Sequence, residues 1–410
     1  MTTVITNARI FDGTRVLSER TVVIDDAVIR SVGAPVDQPG AEVVDAAGMT
    51  LLPGLIDAHV HTSPEALRLA LTFGVTTELE MGGVLTAGRR NHITGNDQLA
   101  DVRSSGFGIT PPGGHPSEIV PEGAMPGQDE EGWQDVVMPF SRTPDEAVAF
   151  IPQLTGSGSD YIKFLIDDGT TAHAPGLPML DQATLNAGVA EARRCGMLTV
   201  AHALTVEATR MALEAGVDGL VHLFLDQPPT PQIIDLIAAS GVFVVPCVVL
   251  NASIMGITGE RFAFDPRVHT RLSPHWLATL QSSFNHYPQG RLADVLASVR
   301  ALHEAGVTLL AGTDASVPVP ALGGLAHGAS VHHELQMLVA AGLTPAEALS
   351  SATMQPAQRF GLSDRGRIAE GLRADLLLVK GDPPTDIADT LNIEAVWRRG
   401  TKADLSMTGH

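Results

Sequence analysis

Six side chains suited to metal or acid–base chemistry sit at the ends of apolar runs. LIDAHVH closes on His59 and His61, TVAH on His202, DGLVH on His222 and LLAGTD on Asp314, while YIKF carries Lys163. Residues two apart on a strand share a face, so His59 and His61 can grip one ion. Taken singly, each has an ordinary reading. HxH can be two polar residues at a strand exit, His202 or His222 a hydrogen-bonded core histidine, and Asp314 a helix cap. Placed together at one end of successive apolar runs, they form a ligand set of imidazole and carboxylate without thiolate. That set suits Zn2+ and tolerates Mn2+, Co2+ or Fe2+.

Lys163 is the least expected of the six. Its neighbours Ile162, Phe164, Leu165 and Ile166 read as a buried strand. A desolvated ammonium there costs several kcal/mol unless it is paired or neutralised. The chain's other lysines, Lys380 and Lys402, lie near the C-terminus, and arginine serves as the general cation. A neutral lysine amine can add CO2 to give a carbamate, an anionic bidentate oxygen donor able to bridge two ions. Burial favours the neutral amine, and arginine, always protonated, cannot do this chemistry. The alternative is a lysine ion-paired to an acid such as Glu80.

These residues need a frame that brings strand ends together. Residues 1–53 alternate in short β segments broken by Gly, Asp or Pro. From residue 55 the pattern is strand, helix, strand. Strands are expected at 55–61, 75–81, 106–110, 160–166, 197–202, 218–223, 242–249 and 307–313. Helices are expected at 182–195, 205–215, 231–240 and 292–305. Glycine after many helices supplies a left-handed cap before the next strand. Eight such units predict an α/β chain closed as a (β/α)8 TIM-like barrel over 55–355, with a doubly wound sheet as the runner-up. Residues 1–54 and 356–410 are expected to pair into one small discontinuous β-sandwich domain, with a disordered tail from 402. Two long stretches, 111–143 and 250–290, follow the third and seventh strands. In a barrel they would stand at the mouth that holds the site.

The whole chain narrows the function. Its 410 residues are 44% hydrophobic but only 4% aromatic, so a large aliphatic core is available. A net charge of −20 argues against nucleic acid or an anionic membrane as partner. Two cysteines in apolar settings, Cys195 and Cys247, fit a reducing cytoplasm. MTTVITNARIFDG has no basic region followed by an apolar run, so no signal peptide is expected, and no run of about 18 apolar residues predicts a membrane span.

The motifs VITNARIFDG, PGLIDAHVHT, YIKF, VAHA, GLVHL, LLAGTDA, ELQMLVAAGLTPAEALSSATMQPAQRFGL and GRIAEGLRADLLLV together resemble the amidohydrolase superfamily, in its imidazolonepropionase-related and Xaa-Pro dipeptidase-like branch. The resemblance covers nearly all of the chain. It implies two divalent ions, most readily Zn2+. His59, His61 and Asp314 would hold one, His202 and His222 the other, and carboxylated Lys163 would bridge them. It implies hydrolysis of an amide-type C–N bond in a small molecule such as an N-acyl amino acid, a dipeptide, or a non-peptide amide or carbamate. A hydroxide held between the ions would attack, with Asp314 moving the proton. His115, in PPGGHPSE, would face the substrate and steady the oxyanion, while Tyr161 would be structural. His327 is a candidate pocket-lining residue, although capping or packing also fits it. Arg142, Arg261, Arg267 and Arg271 are available for an anionic substrate. A homo-oligomer is also implied. Two other readings stay open: a one-ion cyclic-amide hydrolase, imidazolone hydrolase or deaminase, and a non-catalytic scaffold.

Overall fold

The structure, a computed structural model, describes residues 2–33, 40–83, 85–119 and 138–406. Six short strands come first: β1 (Thr2–Thr6), β2 (Arg9–Ile10), β3 (Val22–Asp25), β4 (Val28–Val32), β5 (Glu42–Asp45) and β6 (Met49–Pro53). The middle of the chain carries β7 (Leu55–Val60), β8 (Val75–Glu80), β9 (Asp101–Ser104), β10 (Ile162–Ile166), β11 (Thr199–Ala203), β12 (Gly219–Val221) and β13 (Phe243–Val245). The strands β14 (Leu376–Lys380), β15 (Ile393–Arg398) and β16 (Thr401–Lys402) close it. Helices α1 (Pro64–Thr72), α2 (Ala87–Thr94), α3 (Pro144–Gly156), α4 (Gln182–Arg194), α5 (Val206–Ala215) and α6 (Pro231–Ser240) alternate with the middle strands. Then come α7 (Val248–Ile254), α8 (Glu260–Ala263), α9 (Pro266–His269), α10 (Pro274–Leu280), α11 (Leu292–Glu304), α12 (Ala329–Ala341), α13 (Pro345–Ser351) and α14 (Met354–Arg359).

Local chemistry explains these starts and stops. Side-chain oxygens of Ser63, Thr143, Asp181 and Thr205 accept from the first turns of α1, α3, α4 and α5. Each satisfies an N–H that the helix cannot, and such a cap is worth about 1 kcal/mol. Gly216 and Gly241 end α5 and α6 in the left-handed conformation. The strands between are parallel and, apart from Arg103 in β9, buried along their length, as IKFLI and TVAHA show. Strands covered on both faces read as continuous apolar runs, so a polar residue inside one needs a reason to be there.

One parallel sheet runs β7-β8-β9 and another β10-β11-β12-β13. Further hydrogen bonds run between them. Ile109 bonds Lys163 and Leu165 of β10, Leu310 N donates to Val244 O of β13, and Ala58 N of β7 donates to Ala311 O. The expected strand at 106–110 is replaced by β9, five residues earlier, leaving two isolated bridges, Ile109 to Phe164 and Thr110 to Phe140. Two glycines in GFGIT deny that run a continuous ladder. Residues 307–313 likewise form only a bridge, Val244 to Leu309. The expected strand 242–249 stops at Val245, and its apolar end begins α7. The stretch 250–290 carries the short helices α7 to α10 and is not an open loop. Of the stretch 111–143, residues 120–137 lie outside the described residues.

The first and last segments of the chain share sheets and core. β14 pairs antiparallel with β6 and β15, in a sheet ordered β16-β15-β14-β6-β2. A second core joins Ile5, Ile10, Ile24 and Leu51 to Leu376, Leu378 and Trp397. Residue 402 is not yet tail: β16 pairs with β15, and Ala403 N donates to Val396 O. Residues 407–410 lie outside the described residues. No helix among the described residues is long and apolar enough to cross a membrane.

Candidate metal centre

β7 delivers His59 and, one residue past its end, His61. Asp314 reaches them because the chain before it lies against β7. At Gly312 a Cβ would stand 3.0 Å from both Cβ and N of His59 and 2.4 Å from Val245, so only glycine permits that approach. Asp314 N donates to His59 O at 2.7 Å, and Asp314 is held at a φ of +62°. Such a conformation in a non-glycine residue is costly, and it recurs where function demands a particular side-chain direction. Behind them, buried Asp57 accepts from the amides of His59 and Thr313 and from the Thr313 hydroxyl at 2.7 Å. Burial pushes the Asp57 carboxyl up to about 8.

The donor atoms converge. Asp314 Oδ1 lies 3.1 Å from His59 Nε2 and 3.1 Å from His61 Nε2, yet it makes no properly directed hydrogen bond. Donors on one tetrahedral ion, with bonds of about 2.0–2.1 Å, lie roughly 3.3 Å apart. Spacing without hydrogen-bond direction is therefore what an ion between these atoms requires. Lys163 Nζ stands 3.3 Å from His59 Nε2. Among the described residues no carboxylate lies within ion-pair distance of it. The His222 ring stacks on His59 at 4.4 Å, with its Nε2 4.0 Å from Asp314 Oδ2, and His202 meets His222 edge-on at 4.9 Å. All six expected ligand residues thus lie in one contiguous cluster.

Burial sets their protonation. It lowers Lys163 to about 8 against the opposing pull of Asp314 and Glu80, and it lowers His59 to about 3 and His202 to about 4. Neutral imidazole and neutral amine are the forms that bind metal or CO2. Burial opposes the rise of His61, but its contacts with Asp314 and Glu80 carry it to about 9. Asp314 is held well below the usual carboxylate range despite burial, by His59, His61 and His222. Its side chain is 17% exposed and that of His61 33%, so the centre opens to solvent on their side.

Glu80 does not pair with Lys163. It accepts from the amides of Thr62 and Gly82 and lies 3.4 Å from His61 Nδ1. Tyr161 O–H donates to the Glu80 carbonyl at 2.7 Å, a structural role. His115 stacks on His202 at 4.4 Å, and its Nδ1 is held by Glu118 at 2.5 Å, so it stands beside the centre, with no hydrogen bond to Nε2 among the described residues. His327 does not line a pocket. It is fully buried, with Nδ1 2.8 Å from Glu78 and Nε2 donating to Ser316 O at 2.8 Å. Both nitrogens are spent tying β8 to the loop after Asp314. Arg267 and Arg271 are also committed: Arg267 to Asp265, Ala388 and Asn392, Arg271 to the carbonyls of Thr72 and Ile393.

Four participants escaped sequence reading. Asp57 had a signal, since DAHVH places it two residues before His59 on the same face. Glu78 alternates with Glu80 in β8 in the same way. Asp167 follows β10 and accepts from His202 Nε2 at 2.8 Å. Cys247 places its sulfur within 4.8 Å of donor atoms of His59 and His222. A thiol therefore adjoins a set expected to lack sulfur, and burial raises it well above its usual range.

Residues 50–403 match the Amidohydrolase family, and the chain belongs to that family. Among curated proteins it is 37% identical over 111 residues to the imidazolonepropionase of Deinococcus deserti, covering 25% of each chain. It is 31% identical over 130 residues to the enamidase of Eubacterium barkeri, covering 28% of this chain and 34% of that one. These matches span only about a quarter to a third of the relatives' length. A crystal structure of a Xaa-Pro dipeptidase with methionine bound in its active site superposes over 98% of this chain and 100% of that one. Its TM-score is 0.72 at 25% identity.

Proposed function

We propose that the protein is a hydrolase of an amide-type C–N bond in a small molecule, working with two divalent ions. In this reading residues 55–355 form a (β/α)8 barrel, and 1–54 with 356–410 form one β-sandwich domain. His59, His61 and Asp314 would hold the first ion, His202 and His222 the second. Lys163 would serve as a carbamate: its neutral Nζ attacks the carbon of CO2 and loses a proton, leaving an anion with two oxygen donors that could hold divalent ions. The observation that carries the reading is Lys163 itself, a buried amine 3.3 Å from His59 Nε2, with no carboxylate within ion-pair distance among the described residues. Kinship to proteins called Xaa-Pro dipeptidase and enamidase supports an amide-type bond.

When bound, the ions supply Lewis acidity at the carbonyl and make water nucleophilic near neutral pH. The chain's own residues supply the rest. Asp314, anionic and partly open to solvent, accepts the proton of the attacking water and returns it to the departing nitrogen. His115, held at Nδ1 by the Glu118 carboxylate, would donate from Nε2 to the developing oxyanion only with both ring nitrogens protonated, and a fixed donor there is worth several kcal/mol. Glu80 and Asp57 hold His61, His59 and the Asp314 turn, so that little reorganisation is needed.

Elemental analysis of the zinc-loaded protein, with hydrolysis assays on N-acyl amino acids, Xaa-Pro dipeptides, anilides and carbamates, tests this. The expected result is two ions per chain and turnover in one of these classes. One tight ion and no carbamate would leave the one-ion hydrolase or deaminase reading. Turnover of nothing across amides, esters and lactones would leave the scaffold.

A further inference from the structure

Residues 166–174 (IDDGTTAHA) hold a carboxylate that the reaction as described does not use. Asp167 is 3% exposed, and each of its oxygens has one partner. Oδ1 accepts from Gly169 N at 2.8 Å, and Oδ2 lies 2.8 Å from His202 Nε2. The loop leaves little room for it to move. At Gly169 φ is +76°, and a Cβ would fall 1.9 Å from Ala174 O, while Ala172 and Ala174 both donate to Gly169 O. A carboxylate paired in this way is an acceptor only, so Nε2 carries the proton and Nδ1 is the nitrogen left with a lone pair.

We propose that Asp167 is a positioning residue for the second ion, fixing His202 in the Nε2–H form so that Nδ1 is the nitrogen offered to metal. The proposal rests on the two-ion reading above. It explains why a carboxylate is buried against a ligand histidine. A second-sphere acceptor of this kind orients the ring and raises its basicity. The rival arrangement makes Asp167 itself a ligand, because donor atoms of His115, Asp167 and His202 lie within 4.8 Å of one another. Geometry favours positioning. The contact from Asp167 to His202 is a 2.8 Å directed hydrogen bond, whereas Asp314 meets His59 and His61 at 3.1 Å without one. The first contact already shares a proton, and the second leaves the gap an ion fills.

The test uses full-length protein and Zn2+. Metal content by elemental analysis and affinity by chelator competition are measured for wild type, Asp167→Asn, Asp167→Glu and His115→Ala. Histidine-labelled 15N NMR of the metal-free protein reads the His202 tautomer, assigned with His202→Gln. Wild type should take two ions, with His202 in the Nε2–H form. Asp167→Asn should bind the second ion about 10–100-fold more weakly and lose that tautomer preference, the first ion being unchanged. Asp167→Glu, which keeps an acceptor, should retain the tautomer. Two ions in wild type with unchanged affinity and tautomer in Asp167→Asn would overturn the positioning role while the two-ion reading stood. Loss of the same ion in His115→Ala and Asp167→Asn alike would overturn it in favour of a metal site made by those residues. A single ion in wild type would end the two-ion reading and this proposal with it.

Discussion

Lys163 offers the sharpest perturbation, because its chemistry depends on a gas. Burial lowers its amine from 10.5 to about 8. At pH 7 that multiplies the neutral, CO2-reactive fraction by about 300 over an ordinary lysine, since each pH unit is a factor of ten. The amine is freed progressively as pH rises towards 8, so carboxylation should quicken over that range. Metal-free protein can therefore be reloaded with Zn2+ in CO2-depleted buffer and in bicarbonate. Wild type should take one ion in the first and two in the second, with activity following the second ion. Lys163→Ala should take one ion in either and lose on the order of 10²-fold or more in kcat/KM, since loss of a ligand's outer support alone costs 10–100-fold. Acetate, a free carboxylate, should restore part of both. Lys163→Arg keeps the charge but never the neutral form, so it should be nearly as damaging. Two ions and wild-type turnover in Lys163→Ala would refute the bridging role.

Two further predictions concern the frame. Asp101, at the start of β9, is 6% exposed and meets Arg365 at 2.6 Å, Arg373 at 3.0 Å and Arg398 at 3.6 Å. Asp101→Asn should cost about 3–5 kcal/mol by stranding buried guanidinium charge, with metal content unchanged because the ligands lie at the other ends of the strands. Urea unfolding with a loss below about 1 kcal/mol would contradict this. Glu334 caps α7, accepting from Val248 N at 3.0 Å and Val249 N at 2.9 Å. Burial nevertheless raises it from 4.5 to about 7, so the folded chain binds a proton that the unfolded chain has released. That contribution is complete below about pH 4.5 and is lost as pH rises through 7. Glu334→Gln should therefore gain roughly 3 kcal/mol on wild type between pH 4.5 and 7.5. A stability difference that stays constant across that range would count against it.

Much of this protein was legible in one dimension because its signals are local. Strand ends, glycine-capped helices and HxH spacing depend on a few neighbouring residues, and they located His59, His61, Lys163, His202, His222 and Asp314. A lysine in an apolar strand stood out for a reason that burial alone supplies. What the chain's order could not express was contact between distant segments. Gly312 looks like any glycine until β7 lies against it, and only then does Asp314 fall 3.1 Å from His59. His327 reads as a candidate lining residue until Glu78, 249 positions earlier, takes its Nδ1. Arg267 and Arg271 read as free cations until the C-terminal segment claims them. Asp167 gains meaning only when parallel pairing of β10 with β11 sets Leu165 against His202, bringing the carboxylate past the end of one strand to the imidazole of the next. The sequence by itself determined which residue types could do the chemistry and at which strand ends they stand. Tertiary structure alone decided which nitrogen, which oxygen and which neighbour each one faces, because tautomer, burial and hydrogen-bond direction are set by groups far away along the chain.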